Sequence, residues 1–230
     1  MKKLLGAVIL SGVFGAVAAT AASAATVTYE NADVTPKLQL IVDDVVSPGK
    51  IRFSLSTTVG TADYLGLGFN FAETGLDPSI MQSEITLISA TKADGTAMPD
   101  GMPELQLFGN NTASQTDCGS GCNFSGAGSA EDFDYIIRIG EAGGGGPGGV
   151  NYVKSVVFDI AIADGRELAD GIFAQFAARA QSTTNPGGSI KADLVEVDDE
   201  PPAVPLPAGL PLLGSGLLAL GIIRRRRRAK

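Results

Sequence analysis

The chain has 230 residues, 44% hydrophobic and 18% charged, with 30 Gly, 12 Pro, 2 Cys and neither His nor Trp. Without His there is no Ser-His-Asp or Cys-His catalysis, no His-ligated zinc and no imidazole proton shuttle; without Trp the strongest sugar-stacking side chain is missing. Lys2, Lys3, Arg224 to Arg228 and Lys230 hold eight of the seventeen basic residues, leaving nine between them against all 25 acidic ones, a net of -16 for the middle of a chain whose formal charge is -8.

A body that acidic repels nucleic acid and anionic headgroups and attracts cations or basic partners. Ahead of it, residues 1–24 read as a secretory signal peptide. Lys2 and Lys3 supply the positive start, Leu4 to Ala19 the apolar stretch, and Ala22-Ser23-Ala24 the small-residue site, with cleavage between Ala24 and Ala25. The alternative is a retained N-terminal anchor, against which the weak apolarity of the Gly- and Ala-rich stretch and its Ala-x-Ala ending both count.

From Ala25 to Val197 the periodicity favours strands. Lys37 to Val42 is a β run. Ile51 to Thr57 alternates apolar and polar, and Tyr64 to Phe71 does so with small residues on one face. Ile85 to Ile88 and Leu105 to Phe108 are shorter runs. Phe133 to Ile139 alternates imperfectly, and Tyr152 to Ile162 is the longest run, with room for a bulge. Ile172 to Gln181 suits helix or strand and is read as strand because its neighbours need a partner. Ser189 to Val197 closes the domain, with Ile190, Ala192, Leu194 and Glu196 on one face. Turn signals such as Asp94-Gly95, Asp100-Gly101 and Asn185-Pro186-Gly187-Gly188 separate these runs. The expected class is all-β, a β-sandwich of jelly-roll kind, with an irregular barrel as the other architecture.

Three local features could carry chemistry. Cys118-Gly119-Ser120-Gly121-Cys122 is the only thiol pair, and an even count in an exported chain points to a disulfide. A ring that short removes little unfolded-state entropy. Replacing Cys118 by Ala is therefore expected to loosen one loop and leave the global melting temperature nearly unchanged. Glu131, Asp132 and Asp134 cluster near a strand start and are the candidate calcium ligands. No Asp-x-Asp-x-Asp-Gly loop accompanies them, and the plainer reading is a solvated acidic surface. Gly143 to Gly149 is a flexible connection rather than a phosphate loop, lacking Gly-Lys-Ser/Thr. The four Tyr are expected to complete the core. No other metal or cofactor is expected, and no catalytic residue stands out.

Residues 198–203 form an acidic, proline-containing linker. Residues 204–230 then run Val204-Pro205-Leu206-Pro207-Ala208, an uncharged stretch from Gly209 to Ile223, and Arg224, Arg225, Arg226, Arg227 and Arg228. The 21 residues from Ala203 to Ile223 span about 31 Å as a helix, enough to cross a bilayer once. Pro205, Pro207 and Pro211 sit near the outer end, where early helical N–H groups have no internal partner to lose. The arginines favour the cytoplasmic side.

This tail resembles the PEP-CTERM family of bacterial sorting signals, in its VPLPA-CTERM variant. The resemblance covers the last 27 residues and has three parts in fixed order: motif, apolar span and basic cluster. It implies a membrane-embedded cysteine transpeptidase, an exosortase, that recognises Val204, Pro205, Leu206, Pro207 and Ala208, cuts there and passes the protein on. Two prolines stiffen that segment and suit it to an enzyme groove. The alternative is a plain C-terminal anchor that is never cut.

The expected protein is thus a non-enzymatic surface or matrix protein of a Gram-negative bacterium. It begins as an inner-membrane precursor with its body in the periplasm and ends at the cell surface or outside the cell. Its expected partners are signal peptidase and the exosortase, with exopolysaccharide or other matrix components afterwards, and no nucleic acid. The alternatives are a calcium-dependent or polysaccharide-binding module and, further off, a hydrolase.

Overall fold

The computed structural model describes residues 25–44, 49–72, 80–109, 115–119, 121–125, 132–143, 149–162, 171–184 and 188–197. The signal segment, the linker, the sorting tail with Val204 to Ala208 and Arg224 to Arg228, most of the glycine-rich stretch and Glu131 lie outside them.

The described chain is all-β. Its strands are β1 (Thr26–Glu30), β2 (Lys37–Asp43), β3 (Lys50–Val59), β4 (Asp63–Phe71), β5 (Ile85–Thr91), β6 (Gln106–Gly109), β7 (Tyr135–Arg138), β8 (Ser155–Ala161), β9 (Phe173–Gln181) and β10 (Ser189–Glu196). Among the described residues the helical structure is one 3-10 turn, Gln82–Glu84, and no helix is long and apolar enough to cross a membrane. The strands form one ten-stranded sheet in the order β5-β8-β3-β2-β1-β10-β9-β4-β7-β6, and every neighbouring pair is antiparallel.

Alternation explains why these segments are strands. In β2 Leu38, Leu40 and Val42 are buried, in β3 Ile51, Phe53 and Leu55, and in β8 Val156, Phe158 and Ile160, with Gln39, Ile41, Arg52, Ser54 and Val157 between them less buried. Each strand thus has one face for the core and one for water. The sheet curls so that its two halves face each other. The Phe53 ring of β3 lies 5.2 Å from Phe158 on the adjoining strand, and also 6.1 Å from Phe69 of β4 and 5.6 Å from Phe173 of β9, neither of which adjoins β3. This stack of rings is the centre of the main core. Burying each such ring contributes roughly 1.5–3 kcal/mol. Tyr64, Tyr135 and Tyr152 are buried in the interior and Tyr29 is partly so.

The corner of the curl is β10. It pairs with β9 from Ser189 to Leu194, then crosses to β1 through Val195 and Glu196. Ile190, Ala192 and Leu194 face the core as expected, but Glu196 is exposed. On the opposite, outer face of β3 and β8, Arg52 grips Asp159 with two hydrogen bonds of 2.7 and 3.0 Å. Directly opposed residues in an antiparallel pair can meet in this way.

Several boundaries differ from expectation. Thr26–Glu30 is a strand that the hydrophobic pattern does not single out. The run from Tyr152 starts as strand only at Ser155, because the Val153 N–H donates to the Asp63 side chain and its carbonyl accepts from the Tyr64 N–H. β5 continues to Thr91, three residues past its apolar start, with a bulge between Leu87 and Ser89. Ile172 to Gln181 is strand from Phe173 on.

Candidate functional site

The cysteines lie in a small hairpin on the outer face of the sheet. The Gly119 and Gly121 backbones take φ of 71° and 75°, a conformation glycine adopts without cost. The Asp117 carboxylate accepts the Gly119 N–H at 2.7 Å, and Asp117 and Asn123 bridge below the turn. This brings the Cα atoms of Cys118 and Cys122 to 5.1 Å, at disulfide distance. A second bridge, Gln115 to Phe133, ties the hairpin to the chain entering β7.

This hairpin is pressed onto β4. A Cβ added at Gly66 would lie 2.8 Å from the Cys122 Sγ, and one at Gly68 would lie 2.7 Å from the Phe133 ring. Glycine is required at both positions because sulfur and ring rest directly on the strand's backbone. A bulge between Tyr64 and Gly66 resets the alternation, so that Leu65 joins this outer side. Cys118, Cys122, Phe124, Phe133, Leu65, Ile136 and Ala177 make a second hydrophobic core there, with both cysteines 0% exposed. The Phe124 and Phe133 rings meet edge to face at 5.0 Å. Such burial reverses the expectation for Cys118→Ala, since the pair roofs the sheet rather than pinning a free loop.

The acidic candidates divide. Asp134 is occupied structurally: its Oδ2 accepts the Phe71 N–H at 2.8 Å, while its own N–H donates to Asn70 Oδ1 at 2.7 Å. Asn70 Nδ2 in turn donates to the Asp132 carbonyl at 3.1 Å. These bonds lace the end of β4 to the start of β7 and use an Asp134 oxygen that a cation would need. Asp132 has an exposed side chain, and Glu131 lies outside the described residues. Among the described residues no three His, Cys, Asp or Glu side chains are grouped to hold a metal ion.

Among the described residues a different carboxylate is the most buried acid. Asp63, 1% exposed, accepts the Val153 N–H at 2.8 Å and Gln181 Nε2 at 2.9 Å. Gln181 also donates to the Glu141 carbonyl and accepts the Gly143 N–H. Asp63 thereby holds the segment after β7 and the segment before β8. Between those two segments lies a cleft of about 170 Å³ whose lining includes Met102, Glu104, Arg138, Glu141 and Asn151. Arg138 also sits 5.9 Å over the Phe108 ring. Local sequence does little to single out Asp63, which stands directly before an apolar run. Its one signal is an acid at a strand start with no basic neighbour.

Burial pushes the Asp63 carboxyl above its ordinary value, and the two donated hydrogen bonds only partly oppose this. The folded state therefore holds this proton more tightly than the unfolded chain. The stabilisation is complete below the ordinary carboxylate range and is lost as pH rises through the raised value. Asp63→Asn removes that dependence, but its amide cannot accept from both donors and leaves one unpaired, costing about 1–3 kcal/mol. The variant should thus trail the wild type by more at pH 4 than at pH 7 in urea melts. A gap that is constant or widens with pH contradicts this assignment.

No protein-family model, curated protein or solved structure matches the chain.

Proposed function

We propose that the chain is an exported surface or matrix protein of a Gram-negative bacterium. Its N-terminal signal delivers it, its C-terminal span holds it, and an exosortase-type transpeptidase processes it at Val204 to Ala208. The body is a non-enzymatic structural or interaction domain, a β-sandwich of jelly-roll kind in which the two curled halves of the sheet are its layers. The observation that carries this reading is the cysteine pair at disulfide distance in the middle of a hydrophobic core. Disulfides form and persist in oxidising compartments outside the cytoplasm, and a signal peptide is the route there. The acidic body and the arginine-ended tail supply the orientation.

The decisive measurement is the C-terminal peptide of surface-released protein by mass spectrometry. Wild type should end within or near Val204 to Ala208 and lack Arg224 to Arg228. Pro205→Ala with Pro207→Ala should insert normally, since alanine tolerates the bilayer and the span keeps its length, yet remain uncut because the stiff extended shape is lost. If wild type retains an intact tail in the inner membrane, the protein is a plain single-pass anchor.

A further inference from the structure

We propose that the corner of the sheet, between the start of β9 and the end of β10, binds an extended basic peptide segment and seats an arginine or lysine side chain over Tyr29 and Phe173, beside Asp193 and Glu196. The ladder between β9 and β10 stops at Phe176 and Leu194, after which Val195 and Glu196 turn to β1. The two strands part there and leave a groove of about 390 Å³, within the range of ligand-sized clefts. Among the described residues, the β9 edge from Phe173 to Gln175 has no ladder partner across this groove. Open strand edges offer backbone hydrogen bonds to an incoming extended chain.

The side chains choose the kind of chain. The floor is aromatic: Tyr29 lies 4.8 Å from the Phe176 ring, Phe173 lies 5.0 Å from it, and both Tyr29 and Phe173 are only partly buried. The rim carries Gln175, Asp193 and Glu196, and the Glu196 charge acts on Tyr29, its partner across the β1–β10 pairing. Aromatic rings beside carboxylates attract an organic cation through the ring quadrupole and through charge together. The field of the body, -16 between the basic ends, steers the same sign of partner toward it. Tyr29, like any tyrosine, is a neutral hydroxyl at neutral pH, and burial and the Glu196 charge push its phenol further up, to about 12. None of this depends on whether the tail is cut.

The test uses the full-length chain in nonionic detergent and an acetylated, amidated hexapeptide alternating arginine and valine, titrated by calorimetry. Saturable binding is expected, weakening as salt rises. Asp193→Asn with Glu196→Gln should weaken it at least about tenfold, as should exchange of the peptide's arginines for citrulline, which keeps shape without charge. Asp33→Asn with Asp100→Asn makes the same charge change at two exposed positions elsewhere and should leave the affinity within about twofold. If the double variant at the groove melts early, Glu196→Gln alone, at an exposed position, carries the comparison. Absence of saturable binding, equal loss in the Asp33/Asp100 control, or equal binding of the citrulline peptide overturns the proposal.

Discussion

Phe133→Ala is expected to cost about 3–5 kcal/mol in urea unfolding, and Gly68→Ala about 1–3 kcal/mol, while the two together cost less than their sum. The Phe133 ring is fully buried and lies where a Cβ at position 68 would be. In the wild type that methyl group must displace the ring. With the ring gone, the methyl group fills part of the space it leaves, and alanine in a strand also carries less unfolded-state entropy than glycine. Gly68→Ala should therefore change sign, from destabilising in the wild type to neutral or stabilising in the Phe133→Ala background. Simple additivity would mean that the Phe133 ring does not rest on β4.

Cys118→Ala with Cys122→Ala should lower stability by about 2–3 kcal/mol, combining the entropy of the short ring with the loss of two buried sulfurs. For a domain of this size that is about 5–10 °C in melting temperature. Intact-mass analysis adds a second readout. Alkylation without reductant should add nothing to the native protein. A mild reductant should open the pair only under unfolding conditions, because both sulfurs are shielded from solvent. Two alkyl groups on untreated native protein would mean free thiols. A variant melting within a degree of wild type would mean that the hairpin is an ornament.

The strands with a β-rich or alternating run are legible in the order of residues alone. Lys37 to Val42 and Ile51 to Thr57 match β2 and β3 closely, because a half-buried strand leaves a period of two in its side chains. Thr26–Glu30 is harder to see, since its apolar residues are few and none is fully buried. The small face of Tyr64 to Phe71 is visible as a pattern. What it serves is not, since the sulfur and the ring that lie on Gly66 and Gly68 come from residues 122 and 133, more than fifty positions along the chain. The Asp134 bonds to Asn70 and Phe71 and the Asp63 bonds to Val153 and Gln181 are hidden for the same reason. Sequence spacing describes neighbours along one strand, while these groups are brought together by the pairing of β4 with the distant strands β7 and β9 and by the chain laid over them.

The pairing of β1 with β10 joins the first strand of the body to its last, Tyr29 to Glu196 and Glu30 to Val195. A chain threaded outward N-terminus first would present β1 long before its partner on that side emerges. The β2–β3 hairpin can form early, since its contacts are local, but joining the sheet's two halves at the corner must wait for β10 and bear the entropy of closing almost the whole body into one loop. Until then β1 and the unjoined edge of β9 are bare strand edges, open to pairing with another chain.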